Sequence, residues 1–222
     1  MLKKDLMSEI QDIFDLELLK NTSLKKLTTI NVEAWGDLII IRSENALKKL
    51  LVKLKKNNIA FHVIGWGANQ ILPKSYEGFY LKLNLPFDKK NINWEKSEIN
   101  LPASVPLSVL TSIASKLEVD GWEVFTGIPA TLGGAVFMNA GTALGEIGSL
   151  VKEVKLVDSQ GVEKWIDIKE GYFLYRKNTF LNPGEIITRV TLKNKGRKKG
   201  LRKVITNYLK LVALASILIS SG

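Results

Sequence analysis

The sequence predicts an α+β protein built from two small lobes, each of which carries one glycine-rich loop. Short apolar runs of strand length are interrupted by two amphipathic helices, at residues 43–56 and 106–117. A polar connection at residues 86–93 separates the first group of elements from the second. Each group contains glycines that follow an extended apolar run. A ligand held between the two lobes is therefore the natural inference.

The first part of the chain is predicted to form an amphipathic N-terminal helix (residues 1–20) and then a first lobe (residues 21–88). The lobe opens with a polar connection at residues 21–29. Ser43 is expected to cap the helix that follows it, because a serine side chain accepts a bond from the first free N–H groups of a helix. Apolar runs indicate the elements of this lobe: strands at 38–41, 61–64 and 79–83, and the helix at 43–56.

The second lobe is predicted to span residues 89–194. Pro106 is suited to open its helix, since its fixed φ is helical and its missing N–H would be unpaired there in any case. Residues 159–161, Ser-Gln-Gly, are expected to form the turn of a β-hairpin. The elements of this lobe are an extended segment at 99–101, the helix at 106–117, the hairpin strands at 151–158 and 162–168, and a strand at 185–193.

The last segment, residues 195–222, is basic at its start and apolar from Leu209 to Ile219. We expect it to pack back as a helix on the second lobe or to mediate self-association, because a contiguous apolar patch is rarely left exposed. Its apolar part is too short to span a bilayer, and acidic residues interrupt the N-terminal apolar pattern. A cytoplasmic protein with no transmembrane segment is therefore expected.

Composition limits the chemistry that the chain can perform. The 222 residues contain no cysteine, which excludes disulfides and thiolate chemistry, and a single histidine, His62, which cannot build a metal cluster. We expect His62 to be structural and no metal to bind. The net charge of +10 favours anionic partners. The lysines are not interleaved with aromatic residues, so nucleic acid is not an expected partner.

The two glycine loops are the candidate ligand-binding segments. The first is Gly65-Trp66-Gly67-Ala68-Asn69, and the second runs from Gly127 to Gly141. Glycine allows main-chain N–H groups to approach a ligand closely, and such groups bind phosphate. Tight turns between closely packed elements are the alternative. The candidate binding residues of the second loop are Gly127, Ile128, Pro129, Ala130, Thr131, Gly133, Gly134, Ala135, Asn139 and Gly141.

Several motifs occur in the order found in one enzyme family. They are residues 21–29, 65–69, 127–141 and 175–178, followed by Phe180. In these motifs the chain resembles UDP-N-acetylenolpyruvoylglucosamine reductase, the MurB family. The resemblance implies a two-lobed FAD-binding fold of the vanillyl-alcohol-oxidase type, with FAD between the lobes and bound by the two glycine loops. It also implies reduction of the enolpyruvyl group of a UDP-sugar to UDP-N-acetylmuramate, a precursor of the cell wall, with NADPH as the hydride donor.

The resemblance also assigns roles to the Tyr-Arg-Lys segment. Arg176 matches the catalytic arginine of the family, whose guanidinium suits a carboxylate or an enolate. Tyr175 and Lys177 are expected to bind substrate. Several positions depart from the family pattern. Residues 32–35 stand where the family has Arg-x-Gly-Gly, Ser104 and Ala130 stand where it has glycine or glycine-rich sequence, and Ala68 and Asn178 each replace a serine.

The resemblance covers residues 21–193, so the third, substrate-binding domain of the family is expected to be absent from this chain. Whether the chain is an enzyme stays open at this point. It is either a decaying or frameshifted reductase with impaired activity or a flavin-binding module with another use. A phosphate-binding protein without flavin is a further alternative, although it would not explain two loops in family order.

Overall fold

The computed structural model describes the backbone of residues 3–220 and the side chains of residues 6–215. The described residues form both helices and strands, with most of the strands in the second half of the chain. The helices are α1 (Lys3–Gln11), α2 (Glu44–Lys56), α3 (Leu107–Leu117), α4 (Leu132–Phe137) and α5 (Leu201–Ser220). The strands are β1 (Leu16–Ser23), β2 (Trp35–Ile41), β3 (Phe61–Val63), β4 (Ser75–Leu83), β5 (Glu98–Pro102), β6 (Gly141–Thr142), β7 (Gly145–Glu146), β8 (Val151–Val157), β9 (Glu163–Asp167), β10 (Phe173–Leu174), β11 (Lys177–Asn178) and β12 (Ile186–Lys193).

The first lobe is a four-stranded sheet in the order β1-β2-β4-β3 with α2 packed against it. Strands β2, β3 and β4 run parallel, and β1 pairs antiparallel with β2 at the edge. The predicted helix is confirmed: Ser43 Oγ accepts from the N–H of Ala46 at 3.2 Å. Its apolar face, which includes Leu47, Leu50 and Leu54, is buried. The helix thus forms one layer of this lobe's core.

The single N-terminal helix expected over residues 1–20 is wrong. The helix ends at Gln11, and residues 16–23 form β1. Asp15 has a φ of +70°, a left-handed conformation that does not continue a helix. Leu16 and Leu18 then pair with Ile41 and Ile39 of β2, so sheet pairing overrides the local helical pattern. The expected boundary between residues 20 and 21 consequently falls inside a strand.

The second lobe is an antiparallel sheet in the order β5-β12-β8-β9, packed against α3 and α4. The predicted hairpin is confirmed as β8 and β9. Its turn is closed by Asp158 Oδ1, which accepts from the N–H groups of Gln160 (2.8 Å) and Val162 (2.9 Å). Trp122 is fully buried in this core, and its Nε1 donates to the Lys193 carbonyl at 3.0 Å.

An ion-pair network joins the two lobes. Glu44 of α2 lies 2.7 Å from Lys155 of β8, and Lys155 lies 3.0 Å from Glu163 of β9. Burial acts to lower the pKa of Lys155, but hydrogen bonds to both carboxylates outweigh it and the pKa is raised. Val157 and Ile186, from the second sheet, are buried in the core of the first lobe. Apolar and charged contacts thus fix the two lobes, and with them the two glycine loops.

The tail packs back as a helix, as expected. Leu201 and Ile205 of α5 are buried in the core of the second lobe. Further along α5, Leu211 and Leu214 are exposed, whereas the side chains of residues 217–219 lie outside the described part of the chain. Self-association through this helix therefore stays a prediction. Within the described residues, no helix has the length and apolar character needed to cross a membrane.

Candidate functional site

The first glycine loop follows β3 and is held by the segment before β2. A Cβ built on Gly67, whose φ is +75°, would lie 2.0 Å from the Leu27 carbonyl oxygen, so only glycine fits. Thr29 N–H donates to the Gly67 carbonyl at 3.4 Å, and Thr29 Oγ1 donates to the Ala68 carbonyl at 3.4 Å. The carbonyls of the loop are thus used to anchor it.

The N–H groups of the same loop differ from its carbonyl groups. From Gly65 to Asn69, none of these five consecutive groups has an acceptor within the described residues. Unpaired backbone donors are costly to bury unless a ligand or water accepts from them. A run of free N–H groups in a glycine loop matches what a phosphate requires. Gly65 to Asn69 therefore remain the better-supported anion donors of the two loops.

The second loop uses its donors within the protein. At the start of α4, the N–H groups of Leu132 and Gly133 donate to the carbonyls of Val105 and Ala103, each at 2.8 Å. The N–H of Gly134 donates to Thr131 Oγ1 at 3.3 Å. These three N–H groups are therefore already paired within the protein, and their binding to a ligand stays a prediction. What the turn offers is close approach.

The two loops meet at Gly65 and Gly134. A Cβ built on Gly65 would lie 3.9 Å from Gly134 Cα and 2.9 Å from Thr131 Oγ1. Around Gly134 a Cβ would meet only Thr131 Oγ1, at 3.2 Å, so one side of this glycine is open. Asn69 Nδ2 lies 3.8 Å from Met138 Sδ. The structure thus brings together the loops that the sequence places more than sixty residues apart.

A cleft of about 860 Å³ opens beside this meeting point. Trp66 forms one wall, Ile128, Pro129 and Ala130 form another, and α3 and α5 supply the rest. The buried Thr111 Oγ1 in this cleft has no hydrogen-bond partner. None of the described lining residues is acidic, whereas Lys116 and Arg202 are cationic. The cleft suits an anionic, partly aromatic ligand with acceptors for hydroxyl groups.

The Tyr-Arg-Lys segment lies at the tip of the short hairpin β10–β11, near the end of the second loop. Arg176 Nη2 donates to the Gly141 carbonyl at 2.9 Å, and the guanidinium lies 5.6 Å from the Tyr175 ring centre. All three side chains are exposed. The geometry therefore links Arg176 to the glycine loop and leaves Tyr175 and Lys177 accessible.

Some predicted binding residues lie inside the protein. Gly133 and Ala135 are buried, and a Cβ on Gly133 would lie 2.7 Å from Ala103 Cβ, so this glycine serves packing. Asn139 is 1% exposed, and its side chain bonds only to protein atoms. These contacts do not support direct cofactor binding by the Asn139 side chain, which connects parts of the site instead.

His62 lies close to the first loop. Gln70 Nε2 lies 3.2 Å from its Nε2 and also donates to the Val63 carbonyl at 2.9 Å. Burial lowers the pKa of His62, which favours a neutral ring near pH 7. The side chain of His62 is nevertheless exposed, so its structural role stays a prediction.

Sequence reasoning missed several residues of the site. Phe137, on α4, is 57% exposed, an unusual position for an aromatic ring next to a glycine turn. The cleft hydroxyls on α3 are spaced at helical intervals opposite its apolar face, a signal that periodicity offers. Arg202 carried no comparable signal. The missed cleft residues of α3 and α5 are Ser108, Thr111, Ser112, Ser115, Lys116, Arg202, Ile205, Thr206 and Leu209.

Comparison with known proteins decides the family. Residues 38–167 match the family model described as FAD binding domain, which covers more than half of the chain. The chain belongs to this FAD-binding family. The match includes the first loop, the cleft helix α3 and the whole second loop. It ends within β9, before the hairpin that carries Arg176.

Relatives of this FAD-binding chain carry one name. The chain is 31% identical to a UDP-N-acetylenolpyruvoylglucosamine reductase of Bacillus pumilus, over 86% of this chain and 64% of the relative. It is 32% identical to the same enzyme of Moorella thermoacetica, over 84% of this chain and 61% of the relative. The chain thus spans somewhat less than two thirds of these relatives, and the resemblance to the MurB family is confirmed.

Solved structures show the same fold. The MurB reductase of Thermus caldophilus matches with a TM-score of 0.69 and 28% identity, over 90% of this chain and 68% of that one. An alkyldihydroxyacetonephosphate synthase matches with a TM-score of 0.60 and 16% identity, over 88% of this chain and 41% of that one, a likeness of fold alone. The two-lobed FAD-binding fold of the vanillyl-alcohol-oxidase type is confirmed.

Proposed function

We propose that this chain binds FAD between its lobes and acts as the flavin-binding part of a UDP-N-acetylenolpyruvoylglucosamine reductase that takes hydride from NADPH. One observation carries the proposal. The first loop, whose N–H groups from Gly65 to Asn69 have no acceptor among the described residues, meets the second loop at Gly134, and Arg176 is bonded to Gly141 at the other end of that second loop. Backbone N–H donors, a glycine that lets a ligand approach the backbone, and a cation therefore all lie beside the second loop.

The first loop would hold the diphosphate of FAD through its N–H donors, as glycine loops do for phosphate groups. Gly134 would let the cofactor approach the backbone. The cleft walls, with the Trp66 ring, the unpartnered Thr111 hydroxyl and the cations Lys116 and Arg202, suit a nucleotide-containing ligand. The residues present therefore fit the cofactor.

Bound FAD would supply hydride transfer to the enolpyruvyl double bond. The contribution of Arg176 would be electrostatic: its guanidinium would stabilise the negative charge that develops on the substrate carboxylate, a role that suits a bidentate, permanently charged donor. Tyr175 and Lys177, exposed beside it, would contact the UDP-sugar or the nicotinamide. Gly141 would orient the guanidinium through its carbonyl.

Reduction of the UDP-sugar by these 222 residues alone is expected to be weak. A positioned general acid contributes about 10²- to 10⁴-fold, and no residue of the described chain is assigned that role. Remote binding of the nucleotide part also contributes to catalysis in enzymes of this kind. A non-catalytic flavin-binding module is the alternative, and it would bind FAD without turnover.

Two half-reactions distinguish the reductase hypothesis from the hypothesis of a non-catalytic flavin-binding module. The FAD-loaded chain is first mixed anaerobically with NADPH, and bleaching of the flavin band is followed. The enolpyruvyl UDP-sugar is then added, and return of the band is followed with the parent and with Arg176→Ala. Slow reoxidation that depends on Arg176 supports the reductase; bound FAD with no response to either compound indicates the module, and a chain that binds no FAD refutes both.

A further inference from the structure

Asn139 occupies a singular position at the end of the second loop. Its Nδ2 donates to Glu146 Oε2 at 2.7 Å and to the Leu174 carbonyl at 3.0 Å, while its Oδ1 accepts from the Gly148 N–H at 3.1 Å. The residue is 1% exposed. One buried amide therefore bonds both the segment after the loop and the hairpin that carries Arg176.

That hairpin, residues 173–178 and here called the Arg176 turn, needs such support. Its strands are two residues each, too short to be stable alone. Arg176 has a φ of +53°, a left-handed conformation that is unfavourable for a residue with a side chain. Strained residues of this kind persist only where their surroundings determine them, and they are frequent at functional sites.

Three side-chain hydrogen bonds connect the Arg176 turn to the second loop. The Leu174 carbonyl accepts from Asn139, and Asn178 Nδ2 donates to the Phe137 carbonyl at 2.6 Å. The third is made by Arg176 itself, bonded to the Gly141 carbonyl. Of the three donor side chains, that of Asn139 is the most buried, since Asn178 is partly exposed and Arg176 is exposed.

We propose that Asn139 is a positioning residue for Arg176. Its amide fixes the Arg176 turn on the second loop, so that the guanidinium stays at Gly141. The inference rests on the proposed function only in assigning Arg176 to the substrate carboxylate. The hydrogen bond from Asn139 to the Leu174 carbonyl, called the tie below, is made by protein atoms alone.

The hydrogen-bonded pair of Asn139 and Glu146 allows a test with its own control, because an amide and a carboxylate can be exchanged between the two positions. Asn139→Asp keeps an acceptor for the Gly148 N–H, loses both donor bonds and places a carboxylate beside Glu146. Adding Glu146→Gln supplies an amide to that carboxylate, so the pair is restored with donor and acceptor exchanged. The Leu174 carbonyl still lacks its donor. The double variant therefore separates the local pair from the tie to the turn.

The measurement is trypsin cleavage after Arg176 and Lys177 in the full chain, followed by peptide mass, together with the thermal midpoint. Asn139→Asp is expected to lower the midpoint and to speed cleavage at the turn about two- to tenfold, the population change for one lost hydrogen bond. The double variant is expected to regain the midpoint and to keep the fast cleavage. Asn182→Ala, which alters an asparagine outside the turn, should leave that cleavage unchanged.

Three outcomes would contradict the proposal that Asn139 fixes the Arg176 turn. They are unchanged cleavage in Asn139→Asp, cleavage that rises equally at every trypsin site, and protection regained in the double variant. The link to substrate is tested separately by titrating the FAD-loaded chain with the enolpyruvyl UDP-sugar and following the flavin spectrum. Losses of affinity from Asn139→Asp and Arg176→Gln should be less than additive, and additive losses contradict positioning. A chain that binds no FAD refutes the proposed function, while the cleavage comparison still decides the tie.

Discussion

Two adjacent glycines of α4 should respond in opposite ways to the addition of one methyl group. A Cβ on Gly133 would lie 2.7 Å from Ala103 Cβ, about 1 Å inside an ordinary carbon–carbon contact. Overpacking of this kind costs about 1–3 kcal/mol, and the better helix propensity of alanine returns up to about 1 kcal/mol. Gly133→Ala is therefore expected to lower the free energy of unfolding by about 1–2 kcal/mol.

Gly134→Ala should leave stability almost unchanged and weaken FAD binding. The new methyl would meet only Thr131 Oγ1, at 3.2 Å, and the remaining space is open. We expect the free energy of unfolding to change by less than about 1 kcal/mol, since propensity gain offsets the close contact. If the cofactor lies against this backbone, the methyl should cost about 1–3 kcal/mol of binding, or roughly 5- to 100-fold in Kd.

Urea unfolding followed by tryptophan fluorescence measures the first quantity, and quenching of FAD fluorescence on titration measures the second. The two variants are matched controls for each other, because they add the same group to neighbouring positions. A folded Gly134→Ala chain that binds FAD as tightly as its parent would refute the close approach. Equal destabilisation by both variants would contradict the different surroundings of the two glycines, Gly133 against Ala103 and Gly134 beside open space.

Four further predictions concern the strain at Arg176, the ion pairs between the lobes, and the tail. Arg176→Gly should be about 1 kcal/mol more stable than Arg176→Ala, because a φ of +53° suits glycine, and equal urea midpoints would contradict the strain. Lys155→Met should lower the free energy of unfolding by about 1–3 kcal/mol, since it removes hydrogen bonds to two carboxylates; an unchanged midpoint would show that the joint does not depend on this network. Hydrogen bonds from Lys48 and Lys155 lower the pKa of Glu163 in the folded chain. Ionised Glu163 should therefore stabilise the fold fully above its unfolded pKa of about 4.3, and this stabilisation should be lost as the pH falls through the folded pKa. If urea midpoints depend on pH in the same way with and without Glu163→Gln, Glu163 does not contribute this stabilisation. Removal of residues 201–222 should lower the thermal midpoint, because the core loses Leu201 and Ile205. Light scattering of the full and the shortened chain tests whether the exposed part of α5 mediates self-association. Identical stability and identical mass of the two chains would contradict both the packing role and the association role of the tail.

Elements with strong local signals could be predicted from the sequence. The α2 helix has a serine cap and one apolar face, and the β8–β9 hairpin has alternating strands around Ser-Gln-Gly, so both were correct. Strand β1 was missed because its identity depends on pairing with β2, about twenty residues later in the chain. Local propensity does not contain that partner.

The candidate site divides in the same way. Glycine spacing and motif order predicted the two loops and Arg176, because those features lie in short segments. The roles within the loops depend on tertiary contacts. The carbonyls of Ala103 and Val105 take N–H groups of the second loop, and Asn139 turns inward to bond the Arg176 turn. Nothing in the local sequence separates a glycine that faces a ligand, such as Gly134, from one that faces the core.

The central claim is that the two loops form an FAD site, and a titration of the full FAD-free chain with FAD tests it most directly. Flavin fluorescence and the visible absorbance band are followed together, with riboflavin as the comparison ligand because it lacks the diphosphate. The account predicts saturable 1:1 binding of FAD with a perturbed band, and much weaker binding of riboflavin, since riboflavin lacks the diphosphate that would accept from the N–H groups of Gly65 to Asn69, which have no acceptor among the described residues. Absence of saturable FAD binding up to about 1 mM, a standard free energy near −4 kcal/mol, would contradict it, as would equal affinity for riboflavin.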